Sequence, residues 1–156
     1  MRYLEPFIER ISTKIEECQP RPSANRVFVV YGVPMSGKTY IVKEIAKRFK
    51  GEYIDLLKDK LSILNPKLGS YSPLDFKRDI SRWAKEIDTL LVIDEVEALF
   101  DTWTREQQED LLKLLSGLGG RMHSPVLITS RLNLPYEGFL GKDKVFRIPL
   151  VGGQKC

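Results

Sequence analysis

The sequence predicts an α/β fold in which helices cover both faces of a parallel sheet of about five strands, preceded by an N-terminal amphipathic helix. Three observations support this class. Short runs rich in β-branched and aromatic residues recur along the chain. Amphipathic segments with helical spacing separate these runs, which favours parallel strands joined by right-handed crossovers. A glycine-rich loop lies between the first run and the helical segment that follows it.

The composition is that of a folded protein. The chain has 156 residues, of which 42% are hydrophobic and 29% charged, enough for one domain with its own core. We expect a single domain over 1–156, with a leading helix over 1–19 and a core over 26–150. The net charge of +4 gives only weak support for a nucleic acid partner. No apolar run is long enough to span a membrane and the first residues are too charged for a secretory signal, which favours the cytoplasm.

The N-terminal elements follow in order. The first helix has an apolar face with three- and four-residue spacing and stops before Pro20 and Pro22. Arg26–Tyr31 is apolar on both faces and predicts a central strand. After the glycine loop, a second helix is predicted to end at a capping Gly51. Its apolar face is formed by Ile41, Val42, Ile45, Ala46 and Phe49.

The middle of the chain is less regular. Glu52–Leu56 predicts the second strand, and residues 57–71 favour a broken helix interrupted by loop. A helix is expected after Ser70 or Ser72. Its apolar face is formed by Phe76, Ile80, Trp83, Ala84 and Ile87.

Three strands and one helix complete the fold. Thr89–Ile93 predicts the third strand. Thr104 with Gln107 forms a capping-box pattern ahead of a leucine-rich helix. Pro125–Ser130 and Lys144–Pro149 predict the fourth and fifth strands.

The glycine loop has the pattern of a phosphate-binding loop. Residues 32–39 read Gly-Val-Pro-Met-Ser-Gly-Lys-Thr, the Walker A spacing. Glycine lets the backbone approach phosphate oxygens, and the N–H groups at the start of the following helix favour an anion. Lys38 is predicted to reach the β- and γ-phosphates, and the Thr39 hydroxyl to ligate Mg²⁺. The sequence therefore predicts a site for ATP, with GTP less favoured, formed by Gly32, Val33, Pro34, Met35, Ser36, Gly37, Lys38, Thr39 and Tyr40.

A metal-binding carboxylate is predicted at the end of the third strand. Residues 90–95 read Leu-Leu-Val-Ile-Asp-Glu, a Walker B pattern. Asp94 is predicted to hold Mg²⁺ through a water, beside Thr39. Glu95 is predicted to be the general base that polarises the attacking water. Glu97 is a rival for this role, and Glu95 is favoured because Glu97 is expected to cap a helix or face solvent.

Several cations are candidates for stabilising the transferred phosphoryl group. Arg131 directly follows the fourth strand, and a guanidinium suits this role. The alternative is an ordinary surface arginine on a loop. A neighbouring subunit could instead supply Arg121, Lys142 or Arg147, and the sequence does not select among them.

At this point the chain resembles a known family. Gly32–Thr39, Leu90–Glu95 and Val126–Arg131 are similar to the Walker A, Walker B and sensor-1 segments of the AAA+ and STAND branches of P-loop ATPases. The resemblance implies the strand order 5-1-4-3-2, an arginine at Arg131 that contacts the γ-phosphate, and an adenine bordered by residues 20–25. Such ATPases continue into a helical lid, whereas this sequence ends after its fifth strand, so an intrinsic lid is not expected.

The small size, the leading helix and residues 94–101 together resemble the small BrxF-type ATPases of type III BREX bacteriophage-exclusion operons. This resemblance implies a defence protein that acts with large partner proteins. The leading hypothesis is therefore an ATPase subunit that regulates or drives an assembly, as a homo-oligomer or with other proteins, away from membranes.

Two other functions remain open. A small-molecule or nucleotide kinase is disfavoured because residues 132–143 contain no arginine to cover the phosphates. A non-hydrolysing ATP-binding module in a DNA-acting complex is compatible with the basic charge, which permits DNA contact without demonstrating it.

Overall fold

The structure is a computed structural model that describes residues 2–18, 26–60, 70–118 and 124–149. The predicted border of the adenine, residues 20–25, lies outside this range. Arg121 also lies outside it. Both expectations stay predictions.

A five-stranded parallel sheet forms the centre of the fold. Its strands are β1 Val27–Tyr31, β2 Glu52–Asp55, β3 Leu91–Asp94, β4 Val126–Ser130 and β5 Val145–Arg147. Their order is β2-β3-β4-β1-β5, and each neighbouring pair is parallel. The predicted α/β class and the order 5-1-4-3-2 are confirmed. Because the strands are parallel, their carboxyl ends share one edge of the sheet, where the polar ends of β3 and β4 lie.

Helices pack on both faces of the sheet. They are α1 Glu5–Cys18, α2 Lys38–Phe49, α3 Pro73–Lys85, α4 Glu97–Phe100, α5 Arg105–Ser116 and α6 Tyr136–Leu140. Short 3₁₀ segments cover Arg2–Leu4 and Lys142–Lys144. The sequence did not predict α4 and α6, because helices of four or five residues are too short to display a helical period. None of the helices in the described ranges is both long and apolar enough to cross a membrane.

Two apolar layers separate the helices from the sheet. The first layer lies between the sheet and α1 and α2, and it includes Leu4, Ile8, Phe28, Ile45, Val92 and Leu127. The second lies between the sheet and α3 to α6, and it includes Ile54, Phe76, Ile93, Leu112, Ile128 and Tyr136. Alternate residues of the central strands enter opposite layers, which explains why these strands are apolar on both faces.

The predicted end of α2 and the predicted segment after β2 differ in the structure. Lys50 (φ 51°) adopts the left-handed conformation that ends α2, not Gly51. The Gly51 N–H donates to the Ala46 carbonyl at 2.8 Å and the Lys50 N–H to the Lys47 carbonyl at 3.2 Å, as in a Schellman motif. Beyond β2, Leu56–Lys60 forms a single π-helical turn, and residues 61–69 of the segment 57–71, predicted as a broken helix, lie outside the described residues.

Helix starts were predicted more accurately. The Ser72 hydroxyl accepts the Asp75 N–H at 3.2 Å, and the Asp75 carboxylate accepts the Ser72 N–H at 2.9 Å. Thr104 and Gln107 form the same reciprocal pair at the start of α5. Both boxes satisfy N–H groups that a helix leaves unpaired at its first turn.

Candidate functional site

The loop that follows β1 is anchored to the neighbouring strand. The Gly32 N–H donates to the Ser130 carbonyl at 3.0 Å, and the Ser36 N–H donates to the Val33 carbonyl at 3.1 Å. Met35 (φ 65°) and Gly37 (φ 100°) adopt left-handed conformations, and the Met35 side chain is fully exposed. The loop therefore turns sharply at the carboxyl edge of the sheet and feeds directly into α2.

Two glycines of this loop are required by close approaches. A Cβ atom on Gly32 would overlap the Ser36 hydroxyl. A Cβ atom on Gly37 would lie 2.7 Å from Leu4 Cδ1, and its φ also disfavours a side chain. Leu4 is fully buried, so the segment that leads into α1 supports the loop from behind.

A cleft of about 420 Å³ opens beside the loop. It brings together most of the residues that the sequence predicted, namely Pro34, Met35, Gly37, Lys38, Thr39, Tyr40, Asp94, Glu95, Glu97 and Arg131. Gly32 and Ser36 are buried in the turn of the loop and Val33 is exposed on it, so these three do not line the cleft.

Lys38 begins α2 and lines the cleft. Its Nζ donates to the Val33 carbonyl at 2.9 Å, so the side chain folds back over the loop. Partial burial lowers the pKa of Lys38, against the raising effect of the Glu97, Asp94 and Glu95 carboxylates. The ammonium group therefore lies near three carboxylates in a partly buried position.

Asp94 ends β3 and is only 3% exposed. Its Oδ2 accepts hydroxyl hydrogen bonds from Thr39 at 2.8 Å and Tyr53 at 2.6 Å. Its Oδ1 accepts a short hydrogen bond from the Thr129 hydroxyl and the Glu95 N–H at 3.0 Å. A carboxylate beside the Thr39 hydroxyl provides the hard oxygen ligands that Mg²⁺ takes, so these residues fit a magnesium ion.

The loop also carries an unpaired polar group. The Ser36 hydroxyl oxygen is buried and has no hydrogen-bond partner within the part of the chain that the structure describes. Buried hydroxyls are normally hydrogen-bonded, and an unsatisfied one is costly. Because Ser36 does not line the cleft, this hydroxyl is a feature of the turn itself, where a Cβ atom on Gly32 would overlap it.

Glu95 directly follows the strand and is only partly buried. Its φ of 63° is unusual for a residue with a side chain. Burial raises the pKa of Glu95, and the nearby carboxylates of Asp94, Asp55 and Glu97 raise it further. A carboxylate with a raised pKa in a cleft has the character of a proton acceptor.

Glu97 neither faces solvent nor caps α4, whose N-cap is Val96, so that expectation was wrong. It is only 5% exposed, and its Oε2 accepts the Arg131 N–H at 2.9 Å. Glu97 begins the short α4, which turns its side chain back toward the end of β4. The carboxylate therefore joins the chain segments that follow β3 and β4.

The candidate cations differ in their exposure and in the contacts that their side chains make. The Arg131 side chain is 44% exposed, and its Nη2 lies 3.6 Å from Asp101 Oδ2. Lys142 is exposed. Arg147 donates to both carboxylate oxygens of Glu137, at 2.7 and 2.8 Å, and its guanidinium lies 4.9 Å from the Tyr31 ring centroid. Among the described cations Arg147 is thus committed within its own chain, whereas Arg131 has a weak, open contact.

Sequence reasoning missed three hydroxyl groups at the site. Tyr53 and Thr129 both donate to Asp94, and Tyr136 donates to the Ser130 hydroxyl at 2.5 Å. Burial raises the pKa of Tyr53, and the hydrogen bond to Asp94 raises it further. Thr129 could have been found, since a polar residue near the end of β4 neighbours Asp94 once the strand order is known. The approach of Tyr53 and Tyr136 depends on side-chain packing, which leaves no sequence pattern.

Comparison with known proteins identifies the type of domain. The model of the ATPase family associated with various cellular activities (AAA) matches residues 28–146. Among solved structures, one of C. elegans PCH-2 is similar, with 18% sequence identity and a TM-score of 0.55. That match covers 92% of this chain but only 41% of the PCH-2 chain, and at this identity it shows the fold alone. No curated protein matches the sequence.

Proposed function

Because the chain belongs to the AAA family of ATPases, we propose that it binds ATP with Mg²⁺ and hydrolyses the γ-phosphate. The observation that carries this proposal is the 2.8 Å hydrogen bond between Thr39 and Asp94 in the cleft that Lys38 also lines. It joins the phosphate loop to the end of β3, where a magnesium nucleotide requires oxygen ligands. GTP remains the less favoured nucleotide.

Lys38 and the loop bind the polyphosphate in this proposal. The Lys38 ammonium leaves the Val33 carbonyl, 2.9 Å away, and pairs with the β- and γ-phosphates. Burial disfavours the charged form of Lys38, so a phosphate oxygen as a further anionic partner would stabilise the ammonium group. The Thr39 hydroxyl would ligate Mg²⁺ and the Asp94 carboxylate would hold it through a water, and the ion would neutralise charge on the phosphate oxygens.

Glu95 is our candidate for the general base, and Glu97 is the alternative. Glu95 lines the cleft with a carboxylate of raised pKa. Glu97 also lines the cleft, but one of its oxygens already accepts the Arg131 N–H. We therefore assign Glu97 to hold the segment after β4, and Glu95 to accept the proton of the attacking water.

Arg131 is our candidate for stabilising charge on the γ-phosphate. Arg131 lines the cleft, and the 3.6 Å contact between its guanidinium and Asp101 is long and exposed. An exposed ion pair contributes little, so exchange of Asp101 for a phosphate oxygen is inexpensive. The Arg131 backbone, in contrast, is held by the buried Glu97.

Nucleotide binding and turnover test this assignment. We would measure ATP affinity by calorimetry and phosphate release with Mg²⁺ for the wild type, Lys38→Ala, Glu95→Gln and Glu97→Gln. Lys38→Ala should lose binding. Glu95→Gln should retain binding and lose turnover by about 10²-fold or more, because proton transfer contributes about this much. Glu86→Gln, an exposed glutamate at the end of α3, is the matched control.

The outcomes separate the alternatives. Absence of magnesium-nucleotide binding by the wild type would overturn the proposal. Full turnover by Glu95→Gln, with loss in Glu97→Gln, would transfer the base role to Glu97. Tight binding without phosphate release would favour a non-hydrolysing module, and ADP production that requires a nucleoside or nucleotide acceptor would favour a kinase.

We further propose that the domain works within an assembly, either with copies of itself or with larger proteins. The exposed Arg131 and the cleft beside it support this, since a neighbouring protein could reach the same phosphate. Turnover per protein molecule should rise with concentration or with the partner. A rate per molecule that is constant from nanomolar to micromolar concentrations, in the presence and absence of partners, would contradict this role.

We also make a more specific proposal, that the assembly takes part in bacteriophage exclusion. It rests on the resemblance to BrxF-type ATPases, which includes the segment Asp94–Asp101. We expect Glu95→Gln, introduced into a complete operon, to restore phage plating to the level seen without the operon. Unchanged protection by the variant, at wild-type abundance, would contradict this proposal.

DNA contact is a second candidate, favoured by one surface. Lys43, Lys47 and Lys50 are exposed on one side of α2 and line a shallow groove with Tyr53. This face could track a phosphate backbone. Lys47→Glu with Lys50→Glu should weaken DNA binding and reduce its salt dependence, measured by fluorescence anisotropy between 50 and 200 mM salt, a range in which phosphate contacts produce a large change. Equal binding by both proteins would exclude this surface.

A further inference from the structure

Tyr53 reaches the site from the edge of the sheet. It lies on β2, opposite Val92 of β3, with Asp55 opposite Asp94. Tyr53 packs against the same apolar layer as α2, and Lys43 Nζ lies 5.2 Å from the centroid of its ring. The ring is therefore held between α2 and the sheet, and its hydroxyl reaches Asp94 Oδ2 at 2.6 Å.

The carboxylate of Asp94 is surrounded by donors from four parts of the chain. Oδ1 is held by the Thr129 hydroxyl and the Glu95 N–H. Oδ2 is shared by the hydroxyls of Thr39 and Tyr53. Only Thr39 among the three hydroxyl donors belongs to the phosphate loop, so the other two hydroxyls hold the carboxylate from the sheet side.

We propose that Tyr53 is a positioning residue, which orients the Asp94 carboxylate so that Oδ2 faces the Thr39 hydroxyl before a metal binds. This inference rests on the proposed function, in which the Thr39 hydroxyl binds Mg²⁺ and the Asp94 carboxylate holds it through a water. Partners outside the first coordination shell orient the ligands, and their removal typically weakens metal binding by about 10- to 100-fold. Tyr53 occupies this outer position for Oδ2.

The hydroxyl can be removed without disturbing the packing. Tyr53→Phe retains the ring between α2 and the sheet, together with its contact to Lys43. Tyr71→Phe is a matched control, because the Tyr71 hydroxyl also donates to a carboxylate, that of Asp79 on α3. Both variants lose a tyrosine–aspartate hydrogen bond, so both should lose a similar amount of stability. A weaker affinity for the metal ion that appears only in Tyr53→Phe is then specific to Asp94.

The experiment measures metal binding directly. ADP affinity is first measured by calorimetry in EDTA for the wild type and both variants. Mn²⁺, a paramagnetic substitute for Mg²⁺, is then titrated into each protein saturated with ADP, and free Mn²⁺ is measured by electron paramagnetic resonance. Tyr53→Phe should raise the Mn²⁺ dissociation constant about tenfold. Its metal-free ADP affinity should stay within about twofold, a change of about 0.4 kcal/mol.

Three other results would overturn the inference. An unchanged Mn²⁺ dissociation constant in Tyr53→Phe would show that Tyr53 does not position Asp94. Tighter Mn²⁺ binding would show that the hydroxyl competes with the metal. Equal weakening in Tyr71→Phe would show a general loss of stability. If the wild type binds ADP in EDTA but binds no Mn²⁺, the metal assignment of the proposed function fails. This result is distinguishable from a failure of the role given to Tyr53, because in that case the wild type still binds Mn²⁺.

Discussion

Arg147 and Glu137 form a two-bond ion pair, with Nε and Nη2 of the arginine 2.7 and 2.8 Å from the two carboxylate oxygens. The same guanidinium also donates to Asn133 Oδ1 at 3.0 Å and to the Leu134 carbonyl at 3.2 Å. Arg147 therefore ties β5 both to α6, which contains Glu137, and to the segment that leads into α6. Arg147 is consequently a structural residue in the isolated chain. Arg131, which makes only one long ion-pair contact, is the stronger candidate for stabilising charge on a phosphate.

Alanine substitutions should separate these two arginines. Arg147→Ala should lower the free energy of unfolding by about 1–2 kcal/mol, because several charge-assisted hydrogen bonds are lost at a partly exposed site. Arg131→Ala should change stability by less than about 0.5 kcal/mol, as surface substitutions usually do. Urea unfolding measures both, and phosphate release should fall mainly in Arg131→Ala. The reverse pattern of stability would contradict the contacts described.

The Arg147–Glu137 pair should also make stability depend on pH. Arg147 holds the pKa of Glu137 below its ordinary value. A carboxyl with a lowered pKa in the folded state stabilises the protein above the unfolded value, about 4.3. This contribution is lost as the pH falls through the folded value.

Comparison with Glu137→Gln isolates the contribution. The difference in unfolding free energy between wild type and variant should be constant from about pH 7 to pH 5 and should shrink below about pH 4. Urea unfolding at each pH measures it, and the other titrating groups cancel in the difference. A gap that does not change between pH 7 and pH 3 would contradict the prediction.

Leu4 supports the phosphate loop, so its removal should weaken the affinity for nucleotide. Leu4→Ala removes a fully buried side chain that contacts Gly37. We expect a loss of about 2–5 kcal/mol in stability, together with a several-fold weaker affinity for nucleotide at a temperature where the variant is folded. Calorimetry and thermal unfolding measure these two quantities.

Ile15→Ala is the matched control for Leu4→Ala. Ile15 is fully buried in the same layer, but it lies in α1, eleven residues further along the chain and about 16 Å away. It should lose similar stability and retain the wild-type affinity. Equal affinities for the two variants would show that Leu4 has no influence on the loop beyond general stability.

The capping box of α5 predicts a pair of opposite effects. Thr104→Ala removes the hydroxyl that accepts the Gln107 N–H and should cost about 1 kcal/mol. Thr13 lies inside α1, where its hydroxyl only donates to the Glu9 carbonyl, so Thr13→Ala should be neutral or slightly stabilising. Denaturant midpoints measure both. A shift in the same direction and of the same size would contradict the assignment of Thr104 as the cap.

The sequence contained the information for the parts of the fold that depend on local pattern. The strands, the glycine loop and the capping residues Ser72 and Thr104 were predicted, since spacing and side-chain chemistry determine them. The strand order was accessible only through family resemblance, because local spacing carries no information about which strands pair.

The remaining differences have physical causes. The burial of Glu97 arises from a four-residue helix, too short to recognise, that turns the side chain under Arg131. Tyr53 and Asp94 are 41 positions apart, and their contact depends on how the edge strand packs on α2. Lys50, not the adjacent Gly51, takes the left-handed conformation at the end of α2. Such features arise from tertiary packing, which overrides local preference.

The left-handed backbone at Glu95 implies that thermal stability and the proposed catalytic role favour different residues at this position. A side chain at φ 63° costs about 1–2 kcal/mol relative to glycine. A library of variants at this position, screened only for resistance to heating, should therefore enrich glycine and asparagine. Screening for phosphate release should restore glutamate. The two selections would favour different residues at position 95. A variant selected only for resistance to heating is therefore expected to lose phosphate release.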